Sequence, residues 1–300
     1  MIKDMPCNRE TYPLSVVVAT LGGDTLTGTI EHLNRGTVIP AEILVCIPEE
    51  DAFRVKGLSF QNVRIIKTPC RGQVAQRAYG LQCVRQLLVL QLDDDIMLQP
   101  ENLYKLIQAL YQLGHGNTVA PIYRDLMSGH CVTECHWGIV GWLQSLYALL
   151  VCDAPWGAKR MGAVSPAGIG YGVDEKHCGP ALLETQWQPG GCVLCYREDL
   201  ITENYYPFAG KAYCEDLIHS VLWRKRGVHL WVLPSAYCMI FITPEPFSWS
   251  SIKADMRAHY YVVRLSGGKV WRLMFWHLIY VSKRVIFSMV NRGLPSSRSK

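Results

Sequence analysis

The sequence predicts an α/β protein built on a mostly parallel sheet flanked by helices, and three observations carry that prediction. Apolar and β-branched runs recur between helix-period stretches at residues 13–20, 41–47, 63–67 and 87–92. Strand and helix alternating at this spacing is the pattern of a doubly wound sheet. Five of the six residues at 87–92 are apolar, which suits a strand buried on both faces, as in parallel sheets. The third observation is the acidic triplet closing that run: Asp93, Asp94 and Asp95 stand at its carboxyl end, where such sheets bind ligands.

The bulk numbers agree. Three hundred residues with 49% apolar and 18% charged content suffice for one large α/β domain with an appendage, and they argue against disorder. The division expected is a main domain over 1–250 and a basic, aromatic helical extension over 251–300. The net charge of +5 misleads as an average. No acidic residue follows Asp255, whereas nine bases do, from Arg257 to Lys300, so the remainder of the chain is net −4. Charge concentrated in this way suggests an acidic partner surface for the tail rather than a basic catalytic domain. The first residues, MIKDMPCNRETY, hold no apolar segment of the signal-peptide kind, and the twelve cysteines are scattered. They read as reduced thiols of a cytoplasmic protein.

Taken in order, residues 13–20 (PLSVVVAT) form a strand ending at Thr20, and LGGD is a loop before a helix, TLTGTIEHLNR. Gly22 and Gly23 fit neither GxGxxG nor a P-loop, and they turn the chain more often than they cradle phosphate. A second buried strand at 41–47 stops at Pro48, Glu49, Glu50 and Asp51, and a third comes at 63–67. Helical pattern runs from Gln73 to Gln86. Opened by Gly72 and carrying Arg77, this helix can aim backbone amides and a guanidinium at a diphosphate; the competing reading is a solvated helical arginine. In an extended strand Asp93 and Asp95 project to one side and Asp94 to the other. Two hard oxygen ligands on one side suit Mg²⁺ or Mn²⁺, against the alternative of a solvated acidic turn.

Residues 100–113 read as an amphipathic helix and 118–122 as a strand. The cluster at 130–136 (HCVTECH) is metal-capable but matches no zinc spacing. Residues 137–152 run without charge yet fall short of a membrane span, which needs about 20 residues. Residues 163–173 form a Gly-rich loop, and Gln188-Pro189-Gly190-Gly191 leads into a strand at 192–196, where Cys192 and Cys195 read as buried thiols. Glu215 and Asp216 open a helix that Gly227 ends; the helix dipole alone accounts for both carboxylates. Residues 269–292 mix aromatics and aliphatics with spaced bases and read as an interfacial amphipathic helix, with packing on the domain as the competing reading.

In this order, PLSVVVAT, RGQVAQR, LQLDDD, GGCVLCYRE and CEDLIHS resemble a family 2 glycosyltransferase, the inverting class with a GT-A fold, of the bacterial polysaccharide or O-antigen type. The resemblance covers residues 13–237. It implies that Asp93 and Asp95 hold Mg or Mn, that Asp93 and Asp94 face the nucleotide diphosphate with Thr20 and Arg77, and that Asp216 is the catalytic base. Many members have Asn-Asp-Gly-Ser-type residues after the second strand; CIPEED stands there, leaving Glu49 as the carboxylate for the donor base. Trp187, Gly190, Gly191 and Glu215 are expected to line the acceptor. The Gln-x-x-Arg-Trp motif of processive members is absent, so single sugar addition is expected, onto a glycan or lipid-linked glycan, with peripheral contact to an anionic membrane at its cytoplasmic face and no nucleic acid. Two rivals remain at this point: a sugar nucleotidyltransferase, for which LGGDTLTGTI lacks the loop arginine and lysine, and a nucleotide-sugar sensor without turnover.

Overall fold

The computed structural model describes residues 10–133, 145–147, 149–151, 153, 161–242 and 247–293, the last eight of these by backbone alone. Residues 134–136 of the metal-capable cluster, and most of the uncharged run at 137–152, lie outside them. The described residues form two compact units: 10–133, 161–163 and 172–242 in the first, the remainder in the second.

The first unit is a nine-stranded sheet with helices on both faces. Its strands are β1 (Glu10–Ala19), β2 (Val38–Pro48), β3 (Val63–Thr68), β4 (Leu88–Asp93), β5 (Met97–Leu98), β6 (Asn117–Asp125), β7 (Leu183–Thr185), β8 (Cys192–Tyr196) and β9 (His229–Ile240). They lie in the order β3-β2-β1-β4-β8-β6-β9-β5, with β7 also on β9. The first four run parallel, β8 runs against both β4 and β6, and β6 pairs β9 in parallel. Helices α1 (Thr25–Arg35) and α3 (Asn102–Leu113) cover one face; α2 (Gln73–Leu81) and α4 (Glu215–Lys225) cover the other.

Pleating explains how one strand serves both layers. Leu14, Val16 and Val18 of β1 pack with α1 and α3, while Val17 packs with Leu81 of α2 and Trp223 of α4. All four β1 residues are fully buried, and each such side chain contributes about 1.5–3 kcal/mol. The same alternation parts the two cysteines of β8. Cys192 faces the first layer and Cys195 the second, so the pair does not converge on a metal.

α2 ends at Leu81, five residues short of the helix expected from the sequence. The backbone beyond it is claimed by side chains of other elements. Arg64 donates to the Cys83 carbonyl at 2.6 Å, Glu42 accepts from the Arg85 amide at 2.7 Å, and Ser15 accepts from the Gln86 amide at 3.1 Å. Tertiary partners override a helical periodicity here.

The second unit is built on α5 (Trp249–Ser266) and α6 (Val270–Gly293). Gly267, in the left-handed region at φ 73°, turns the chain between them. Ile252, Ala258, Val262 and Val263 of α5 are buried, as is Leu273 of α6. The His259 ring lies 4.7 Å from that of Trp276. Arg272 is buried and donates to the carbonyls of Leu149 and Leu150, and to Asp153 at 2.8 Å. No helix among the described residues is long and apolar enough to cross a membrane.

Candidate active site

A cavity of about 680 Å³ opens at the carboxyl ends of β1 and β4, lined by residues 19–21 and Gly23, by Arg71, Gly72, Gln73 and Gln76, by Asp93, Asp94 and Asp95, and by 210–212. β4 ends at Asp93 and the chain turns, so the strand alternation expected of the three aspartates does not extend through them. All three face one cavity.

Each carboxylate is held differently. Asp93 accepts from the Gln73 amide at 3.0 Å and from Arg77 at 2.7 Å. Asp94 accepts from the Thr20 hydroxyl, and its carbonyl accepts from the Thr29 hydroxyl at 2.9 Å. Burial, then the charges of Asp93 and Asp94, push the Asp95 carboxyl above its usual range. Burial raises Asp94 too, against the pull of the Thr20 hydrogen bond. Three crowded carboxylates, two of them reluctant to ionise, are a donor set that fits a hard divalent cation. Thr20 is thus a second support to the acidic strand end as well as part of the cavity wall.

One amide fixes the mouth. Gln76 Nε2 donates to the carbonyls of Thr20 at 2.7 Å and Cys46 at 2.9 Å, and its Oε1 accepts from Gly72 N at 3.1 Å. Sequence reasoning missed Gln76 and Gln73, because the groups their side-chain amides donate to are 20 to 56 residues away.

Arg77 does not point at the cavity as expected. Its side chain is 2% exposed and lies behind Asp93, joined to Glu215 at 3.0 Å. A guanidinium committed to two carboxylates orients them rather than grasping a phosphate. Glu215 is buried as well, and Tyr205 donates to it at 2.9 Å. Burial and the Glu215 charge hold the Tyr205 phenol neutral, far above its usual range. The expectation that Glu215 lines an acceptor gives way to a supporting role under Asp93. His219 completes this layer, stacked on Tyr205 and on Trp223, and burial keeps it uncharged.

Glu49 stands away from the cavity. It is exposed and lies 3.9 Å from Lys67, a solvated ion pair. The buried carboxylate on that segment is Asp51, which together with Glu50 holds Arg71 at the cavity wall, at 3.2 and 3.5 Å. CIPEED gave no signal to choose among its three acids.

Gly190 and Gly191 bring the two acidic motifs side by side. Gln91 donates to the Gly190 carbonyl at 2.7 Å, and the Asp93 amide to that of Gly191 at 2.7 Å. A Cβ on Gly191 would lie 2.8 Å from Asp93 Oδ2; one on Gly190 would lie 2.8 Å from Glu215 Oε1 and 3.4 Å from Asp216 Cβ. The pair therefore serves close approach rather than surface lining. Trp187 is half-buried on the same loop, which Gln188 pins through its amide to Ser220 at 3.1 Å. Asp216 opens α4 and accepts from the Leu217 amide at 2.8 Å. Cys214, just before it, adopts the left-handed conformation at φ 55°, a costly turn for a residue with a Cβ.

Residues 15–134 match the family model Glycosyl transferase family 2. Comparison with curated proteins returns no match. Among solved structures, GalNAc-T7 with UDP, GalNAc and Mn²⁺ is similar at a TM-score of 0.57 and 15% identity, over 84% of this chain and 47% of that one. The chain thus spans about half the length of GalNAc-T7. A mycobacterial protein aligns over 85% of this chain and 75% of its own, at 16% identity and a TM-score of 0.46. The architecture is GT-A-like, a mostly parallel mixed sheet between helices with a helical C-terminal region. The family match over residues 15–134 supports a glycosyltransferase, and the likeness to GalNAc-T7 shows the shared fold.

Proposed function

We propose that this chain is a metal-dependent, inverting glycosyltransferase moving one sugar from a nucleotide-diphosphate sugar to a hydroxyl of a glycan or lipid-linked glycan, of the bacterial polysaccharide or O-antigen kind. The observation that carries the reading is the Gly190–Gly191 seat, against which Asp93 packs on one side and Asp216 on the other. Donor-side and acceptor-side carboxylates thereby meet at the carboxyl end of β4.

In the reaction Asp216 takes the proton of the acceptor hydroxyl as that oxygen bonds to the anomeric carbon, and the carbon–oxygen bond to the diphosphate breaks. A positioned base of this kind contributes about 10²–10⁴-fold. Arg77 and Gln73 hold Asp93, and Thr20 holds Asp94, so the carboxylates need no reorganisation when donor arrives. Asp93, Asp94 and Asp95 would hold Mg²⁺ or Mn²⁺, which when bound offsets charge on the departing diphosphate. GalNAc-T7 was solved with Mn²⁺ and UDP, which supports the same cation and donor class here. Trp187 is the aromatic surface offered to the acceptor sugar.

The C-terminal helices support an acceptor met at a membrane. On α6, Trp271, Met274, Phe275 and Leu278 fall at i, i+3, i+4 and i+7 and are 40% to 65% exposed. On α5, Trp249 and Tyr260 are exposed along with Lys253, Arg257 and Arg264. Exposed aromatics with bases, in a stretch without acids after Asp255, suit the headgroup region of an anionic leaflet. The proposed position is peripheral, on the inner face of a cell membrane.

The deciding assay is sugar transfer from UDP-, GDP- and dTDP-sugars with Mn²⁺, for wild type, Asp95→Ala and Asp216→Asn. Turnover of one donor, lost in both variants while Asp216→Asn still binds it, is expected. Donor binding without turnover under every acceptor extract would replace the enzyme by a binding protein.

A further inference from the structure

Part of the cavity wall is a loop that none of the motifs reaches. Gly210, Lys211 and Ala212 line it there. The loop is folded on itself. The buried Tyr206 hydroxyl donates to the Tyr213 carbonyl at 3.0 Å and lies 3.5 Å from that of Lys211, whose carbonyl also accepts from the Tyr213 amide at 3.0 Å. Gly210, at φ 90°, makes the turn, and the Lys211 ammonium stands 5.2 Å from the Tyr213 ring centroid. The lysine is thus presented at the cavity by a structured turn with an aromatic backing.

Charge bookkeeping at the cavity gives this lysine a task. The lining carries three carboxylates and two cations, Arg71 and Lys211. A nucleoside diphosphate adds further negative charge, which one divalent ion does not cover alone. A lysine suits this work, because its ammonium is a compact charge on a flexible stem and follows phosphate oxygens without a fixed fork geometry.

We propose that Lys211 binds the donor diphosphate, facing the Asp93–Asp95 side of the cavity across the phosphates. The inference rests on the glycosyltransferase reading and adds to it a binding residue outside its motifs. Lys211 transfers no proton and forms no bond; it holds phosphate oxygens before and after the sugar leaves.

The test is calorimetric titration of UDP, GDP, dTDP and uridine, with Mn²⁺, into wild type, Lys211→Ala, Lys211→Arg and Asp95→Ala. The ammonium of wild type is expected to give about tenfold to a hundredfold tighter diphosphate binding than Lys211→Ala, with Lys211→Arg between them and uridine binding unchanged. Diphosphate binding should also lose part of its salt dependence in Lys211→Ala. The melting temperature is expected to hold, since the side chain is exposed. Wild-type affinity in Lys211→Ala, alongside weakened binding in Asp95→Ala, would overturn the lysine's role and leave the donor site standing. Absence of binding by wild type to any of the three diphosphates would overturn both.

Discussion

Arg77 and Glu215 stand 138 residues apart and meet beneath the acidic strand end, one guanidinium nitrogen lying 3.0 and 3.1 Å from the two carboxylate oxygens. Through the other nitrogen Arg77 reaches Asp93, so the two acidic motifs are tied through one buried cation.

Breaking that tie should cost more than a surface ion pair. Glu215→Leu is expected to destabilise the protein by about 3–5 kcal/mol, because a buried guanidinium loses its main partner. Replacing both residues together, Arg77→Met with Glu215→Leu, should cost less than the sum of the single changes. Urea unfolding of the four proteins measures this; additive losses would show that the pair is uncoupled.

Gly191→Ala should act on catalysis more than on folding. The added methyl would crowd Asp93 Oδ2 and Ile96 Cδ1 to 2.8 and 2.7 Å. Overpacking of this size costs about 1–3 kcal/mol. Displacing a carboxylate held by Arg77 and Gln73 is expected to lower transfer about a hundredfold. Transfer kinetics beside a melting curve separate the two effects.

The aspartate cluster makes a signed pH prediction. Asp94 and Asp95 ionise above their ordinary range in the folded protein, whereas in the unfolded chain they ionise at about 4. Over that window the folded state holds more protons, so their contribution to stability falls as pH rises. Asp95→Asn should therefore gain melting temperature over wild type as pH climbs through the carboxylate range, without added metal. Mn²⁺ should stabilise wild type most at the upper end of that range and Asp95→Asn least. Parallel melting curves for the two proteins at all pH values would refute this.

The exposed stripe of α6 should govern vesicle binding. Trp271→Glu with Leu278→Glu is expected to abolish cosedimentation with vesicles of mixed anionic and neutral lipid, and high salt to weaken wild-type binding. Equal binding to purely neutral vesicles would remove the charge argument.

Much of the site was legible because its residues end strands or open helices. α1 and β8 match their expected bounds, and Asp93, Asp94 and Asp95 do line one cavity. The illegible part depends on partners distant in sequence. Arg77 carries the same helical periodicity whether it faces phosphate or Glu215, and Glu49 is chemically equal to Asp51 until the fold buries one of them. The end of α2 was hidden for the same reason, since Glu42 and Ser15 take up its backbone from other strands.

The reversed direction of β8 has a consequence for how such a protein can diversify. Because β8 runs against β4, it is the start of β8, at Gly191, that arrives beside the end of β4 at Asp93. The stretch 186–190, between β7 and that point, enters from outside the sheet. Its length and composition can be rewritten while two hydrogen bonds donated by β4 keep the entry point fixed. Under the proposed function, donor chemistry and acceptor choice are thereby written on separate stretches of chain, joined at a single pair of glycines.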